Sequence, residues 1–392
     1  MLTEQEIAKL RADALKILSP IKPADENTKA DEKLLFTAQR SDAGRLLPQY
    51  FLVYFLFSDL LGFRNLGRFE KVAWSFPIDF EGQAYLIEHR KFGLGIFIQN
   101  KENEDSAKII ANKITKAVKK IKPFYNHLAE EAVINSKLNI ENNNQGLFSR
   151  YNYLRKLFDK QIALYIKNKD VVKTKEYFDK DGKFRSSSSS MVGFKYLHQA
   201  NWLAISCIDA FYSWTEHLFI HLTIVGHQLS EGEQIIKLIE AEWKEKFRRA
   251  IPIQDKEIKL IYDELLTVRQ QLRNFVAHGA FGKNGNAFHF HSKTGAVPVL
   301  LNHNQTKNRF SLSGSLSFNE LAVMDLIDKF IKLLWEGPLK PAMYYTQKLG
   351  LPTILTLAKN GQYEMAMSDF SIMEHFAEHI SREIDNAANM DW

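Results

Sequence analysis

Between Phe194 and Val225 the chain runs through Leu197, Leu203, Ile208, Phe211, Trp214, Leu218 and Leu222, apolar at almost every helical phase. A helix that is apolar on most faces must be buried between neighbours. The second half of the chain therefore has to assemble several helices around this one. Within it Glu216 is out of place, because a buried carboxylate is costly unless paired. Either it sits on an exposed strip or it meets an arginine from another helix, and Arg269 and Arg273 are the candidates. His217 and His221, four apart, have the spacing of a metal pair. Flanked by Leu218, Phe219 and Ile220 and lacking further ligands nearby, they read as packing residues.

Several helices follow. Ser230-x-x-Glu233 has the form of a capping box opening a helix toward Arg249, which Pro252 breaks. Asp255 then caps a helix whose apolar positions recur as Ile258, Ile261, Leu265, Val268, Leu272 and Phe275. That single stripe faces a core. At about 100° per residue, Arg273 and His278 fall on opposite flanks of the outer face, with Gln270, Asn274 and the small Ala277 between them. Asn274 and His278 are i, i+4 neighbours, so the amide can orient the imidazole. Gly279 suits the left-handed residue that ends a helix, which leaves His278 in the last turn.

The segment Leu272-Arg273-Asn274-Phe275-Val276-Ala277-His278-Gly279 resembles the R-x4-H motif of the HEPN superfamily of ribonucleases and toxins, with the resemblance covering about residues 146–337. It implies an all-helical bundle that commonly dimerises, with two motifs across one cleft. It also implies metal-independent endoribonuclease cleavage, with Arg273 on the scissile phosphate, His278 as acid or base, Asn274 holding them, and Glu216 and Arg269 in support. The chemistry suits the residues. RNA carries its own nucleophile, the 2′-OH. Histidine titrates near neutrality, and the arginine fork matches phosphate oxygens. Some toxins of this type carry a tyrosine two residues past the histidine, where an antitoxin modifies them. Here that position is Ala280. A non-catalytic module of the same family, binding RNA, nucleotide or protein, is the alternative reading. A metal-dependent hydrolase built on His217/His221 or His375/His379 is a third.

The N-terminal third reads differently. Residues 31–61 have helical periodicity and end in the apolar run Phe51 to Phe57, which Asp59 closes and which is far shorter than the ~20 residues of a bilayer span. From Lys71 the period becomes strand-like, through VAWSF, QAYLIEH and LGIFIQ, with breaks at Glu81-Gly82 and Phe92-Gly93, which predicts an antiparallel meander. A helix from Ser106 to Ile121 then carries Lys113, Lys116 and Lys120 at helical spacing. Such a row can bind RNA by neutralising phosphates, or can be a solvated face. The polar run from Glu141 to Gly146 marks a domain boundary.

The whole is therefore an α+β chain, mainly α. It comprises an N-terminal α+β domain (1–145), a HEPN-like helical domain with a small β insertion (146–345) and a C-terminal helical extension (346–392). The α+β domain reads as a sensor or RNA-recruiting module. The Ser186 to Ser190 run reads as flexible linker, and Asp179 to Gly182 as a tight turn. Past the motif, Phe288 to His291, Val297 to Leu301 and Arg309 to Leu312 alternate like short strands, with His289 and His291 on one face. Ser317-x-x-Glu320 then opens a helix to Trp335. His375-Phe376-Ala377-Glu378-His379 matches the inverted zinc-protease motif H-x-x-E-H, but too little chain follows to supply its downstream carboxylate. No metal or cofactor is expected. The single cysteine, Cys207, excludes an internal disulfide framework and fits a reducing cytoplasm. A net charge of +6 permits an RNA partner. The expected setting is a homodimeric toxin or anti-phage abortive-infection effector, with an antitoxin or regulatory protein as a further partner and no membrane segment.

Overall fold

The computed structural model describes residues 1–30, 33–227, 229–278, 288–299 and 320–391; the side chains of Gln271 and of residues 273–278, 288–290 and 296–299 lie outside that description. Helices predominate and the largest sheet is antiparallel, so the fold is mainly-α α+β. Two compact units divide the chain: Met1–Leu138 with Glu378–Trp392, and Asn139–Ala377. The division differs from the expected boundaries at 145 and 345. Asn139–Ile140 (β6) pairs antiparallel with Thr353–Ile354 (β11), and Asn142 Nδ2 donates to the carbonyls of Thr346 and Leu351 at 2.7 and 2.8 Å. Strand pairing just before the Glu141–Gly146 run, and the Asn142 side chain within it, thus tie that run and the start of the C-terminal extension to the second unit.

In the first unit, α1 (Glu4–Leu18) opens on a reciprocal cap in which Glu6 N donates to Thr3 Oγ1 and Thr3 N to Glu6 Oε2. The five-stranded sheet runs β1-β3-β4-β5-β2, with β1 Lys22–Pro23, β2 Gln39–Arg40, β3 Val72–Phe80, β4 Gln83–Arg90 and β5 Gly93–Ile98. The central meander is the one its alternation predicts, turned at Gly82, whose φ of +80° favours glycine. α2 (Glu104–Lys120) lays Ile110 and Ile114 into one core with Phe57, Phe76, Ile87 and Ile96. α3 (Lys122–Ile134) follows.

The single helix expected over 31–61 does not form. The described part forms short turns at Leu34–Thr37 and Asp42–Leu46, with β2 between them, and only its end is the expected helix, continuous from Tyr50 to Leu60 and passing from α to π hydrogen bonding at Phe55. Two residues explain the breaks. A Cβ at Gly44 would lie 2.7 Å from the Ile96 backbone nitrogen, so this stretch is pressed against β5. Pro48 then holds Leu47 in extended backbone, at φ −67° and ψ 147°.

The second unit is built on α4 (Asn144–Asn168) and α5 (Gly193–His227), which pack along their lengths. They run antiparallel: Phe148 meets Trp214 at 4.5 Å between ring centroids, while a Cβ at Gly193 would come within 2.8 Å of Lys169 Cα. The 35-residue α5 is buried as its composition demands. Between the two helices the expected linker is instead a hairpin, β7 (Val172–Phe178) and β8 (Phe184–Met191). Its tip is the foreseen turn, with Asp179 Oδ1 accepting from Asp181 N and Lys183 N. The serines have no apolar alternation of their own; cross-strand pairing makes them a strand.

The helix foreseen from Ser230 to Arg249 is likewise two, α6 (Gly232–Glu240) and α7 (Trp243–Ala250), with extended backbone at Ala241 and Glu242 between them. α8 (Lys256–His278) starts where Asp255 Oδ1 accepts from Glu257 N and Ile258 N, and buries Ile261, Leu265, Val268 and Leu272. Strands β9 (Phe288–Ser292) and β10 (Gly295–Val299) pair antiparallel, and α9 (Glu320–Glu336) and α10 (Phe370–Asn389) follow. Gly279, Ala280, the strand expected at Arg309 to Leu312 and the capping residue Ser317 lie outside the described residues. No helix among the described residues is long and apolar enough to cross a membrane.

Candidate functional site

A polar stripe runs down one face of the otherwise apolar α5. Ser206, Asp209, Ser213 and Glu216 follow each other by three, four and three residues, which is one helical face. Arg150 of α4 and Arg269 of α8 stand across from it. Together these side chains, with Leu154, Ile205, Tyr212 and Leu272, line an open cleft of about 560 Å³. Leu272 is the residue immediately before Arg273. The cleft wall thus includes α8 up to the residue where the R-x4-H segment begins.

Two of the lining residues, Glu216 and Arg269, belong to an ion-pair network. Glu216 Oε1 accepts from Lys246 Nζ of α7 at 3.1 Å, and Oε2 faces Arg269 Nη2 at 3.4 Å. The expectation that Glu216 meets an arginine from another helix is realised in Arg269; Lys246 is a partner that sequence reasoning missed. Aromatic packing fixes Arg269 further, with its guanidinium carbon 5.6 Å from the Tyr212 ring centre and 5.7 Å from that of Trp243. Tyr212 in turn donates its hydroxyl to the Leu265 carbonyl at 2.7 Å, locking α5 to α8. Burial pushes the Tyr212 phenol well above its usual range, against the opposing pull of the Arg269 charge. Arg269 Nη1 is buried with no hydrogen-bond partner among the described residues. Backbone position 273 comes one helical turn beyond Arg269. The side chains of Arg273, Asn274 and His278 lie outside the described residues.

His217 and His221 face each other through their Nε2 atoms. Their Nε2 atoms are 3.1 Å apart, His221 Nδ1 meets Thr353 Oγ1 at 3.1 Å, and His217 Nε2 accepts from Asn143 N at 2.9 Å. Burial, with the His217 charge as a second cause, drives the His221 pKa down to about 3. His217 is lowered too, chiefly by burial, with Glu141 opposing. On α10, His375, Glu378 and His379 are exposed. Among the described residues no group of three or more His, Cys, Asp or Glu is placed to hold a metal ion. Cys207 is buried, and burial raises its thiol pKa to about 12. Beyond the motif His291 is exposed, while the side chain of His289 lies outside the described residues.

The lysine row of α2 is partly committed within its own unit. Lys113 Nζ donates to the Ser19 carbonyl at 2.6 Å, and Lys120 Nζ pairs with Asp13 of α1 at 3.0 Å. Lys116 is exposed. No family model, curated protein or solved structure matches this chain.

Proposed function

We propose that the chain is a metal-independent endoribonuclease of the HEPN type, acting in the cytoplasm as a toxin or anti-phage effector. Homodimerisation through the helical unit would set two motifs across one cleft. What carries the reading is the placement of Leu272. The segment resembling the family motif continues directly from the wall of a cleft whose lining already holds a clamped arginine. Arg269 gives that cleft a positioned guanidinium, held by Glu216, which Lys246 anchors in turn.

In the proposed reaction the 2′-oxygen attacks the adjacent phosphorus, the bond to the 5′-oxygen breaks, and a 2′,3′-cyclic phosphate and a 5′-hydroxyl result. His278 takes the 2′-hydroxyl proton or supplies the one that the leaving oxygen gains. Such proton transfer is worth about 10²–10⁴ in rate. Arg273 balances the charge that grows on the non-bridging oxygens, a contribution of about 10²–10³ per donor. Asn274 orients the pair, and a regulatory partner or antitoxin would act on this unit by means other than modification at Ala280.

The test is incubation with RNA in EDTA. Cleavage should persist, fall by about 10²–10⁴ in His278→Ala and by about 10²–10³ in Arg273→Ala, and be absent on a 2′-deoxy strand. Dependence on added metal would sink the assignment. RNA binding without turnover would place the chain among the non-catalytic modules.

A further inference from the structure

The hairpin β7–β8 stands out because both strands are exposed along their whole length. An isolated two-stranded hairpin is marginal in water, so a hairpin with two solvent-facing sides is well suited to a partner. Its two sides differ sharply. Residues directly opposite each other across an antiparallel ladder share a face. Lys173 pairs with Ser190, Lys175 with Ser188 and Tyr177 with Ser186, which gives one face of two cations, three hydroxyls and an aromatic ring. Val172 pairs with Met191, Thr174 with Ser189, Glu176 with Ser187 and Phe178 with Phe184 on the other. The strands' one carboxylate, Glu176, thus lies away from the lysines. At the tip Asp179 is occupied by the turn amides and by Arg185.

We propose that the Lys173/Lys175/Tyr177 face of this hairpin is a docking arm for single-stranded RNA. The argument is charge complementarity combined with spacing. Two lysines two residues apart on a strand stand about 6.7 Å from each other, close to the separation of successive phosphates along an extended single strand. The serine hydroxyls opposite them donate hydrogen bonds that phosphate oxygens accept, and the half-exposed Tyr177 ring offers a base a stacking surface. No base edge is read by such a face, so the arm binds without sequence preference.

This inference rests on the RNA reading proposed above, and one titration separates their fates. The probe is an uncleavable 2′-O-methyl single strand of mixed sequence, bound to the full chain over a range of salt. For K173Q/K175Q the slope of log affinity against log salt should become shallower by about 1.4, at ~0.7 per lost phosphate contact. Y177A should weaken binding on the order of tenfold with the slope unchanged. Because these side chains are exposed, thermal unfolding of both variants should match the parent. Binding by the parent that both variants reproduce, slope included, overturns the docking arm and leaves the ribonuclease reading standing. A parent that binds no RNA even at low salt overturns both. If V172S/F184S on the opposite face halves the sedimenting mass while K173Q/K175Q binds RNA as the parent does, the hairpin is a contact between copies and the proposal falls.

Discussion

Lys246 has a side chain only 5% exposed, yet it carries a charge, and the carboxylate that answers it is Glu216, itself 36% exposed. A buried ammonium left alone costs several kcal/mol, whereas removing both charges can be neutral. Glu216→Ala should therefore destabilise the chain by about 2–3 kcal/mol, a figure reduced because the carboxylate is partly solvated. Lys246→Met in that background should restore most of the loss. Urea unfolding of the parent, both single variants and the double variant measures the coupling, and simple additivity of the two losses would refute it. The sequence made one half of this pair readable. A lone carboxylate in an apolar helix needs a partner or an exposed strip, and on that ground Arg269 and Arg273 are the candidates, of which Arg269 is the one in place. Lys246 is hard to read because Trp243 to Ala250 is rich in charge, which suggests a solvated helix. The signal was nonetheless there: Lys246 shares the phase of Trp243, Phe247 and Ala250, all of which are buried. The Ser206, Asp209, Ser213 stripe is equally legible by phase, but the apolar residues that dominate α5 mask it.

At the scale of elements, α5 is joined to β11 through His221 and to the start of α4 through His217. His221 stays neutral in the folded chain down to a pKa of about 3, while the unfolded chain takes up its proton near the ordinary histidine value of 6.5. Between those values the unfolded state binds more protons, so stability rises with pH. The contribution is complete above about pH 6.5 and is lost as pH falls toward 3, at up to about 1.4 kcal/mol per unit. Denaturant unfolding between pH 7.5 and pH 5 should show this decline, and His221→Gln should flatten it. An unchanged slope in that variant would assign the acid sensitivity elsewhere. Elements whose pattern is local, such as the β3-β4-β5 meander and the α8 stripe, follow their sequence. Those decided by distant contacts do not: the serines of β8 become a strand only through β7, and residues around Gly44 leave the helix because β5 lies against them.

On the scale of the whole molecule, each compact unit carries its own core. The first unit's core is drawn from residues between Ala14 and Phe124 and holds the sheet against α1 and α2. The second unit's is an aromatic cluster in which Phe219, Trp243, Phe247 and Phe330 meet at ring-centroid distances of 5.3 to 6.2 Å. Cores that share no residues should respond separately to damage. Ile87 is fully buried at the centre of the sheet, and Ile→Ala at such a position costs about 2–5 kcal/mol. Native-state hydrogen exchange reads that cost amide by amide, because core amides exchange through the opening of their own cooperative unit. In Ile87→Ala the amides of Ile110 and Ile114 should exchange about 30-fold faster or more, each 1.4 kcal/mol being a factor of ten. Those of Phe219 and Phe247 should keep their parent rates. Equal acceleration in both sets would mean that the two cores unfold as one, and that a trigger acting on the sheet would reach the cleft through global stability.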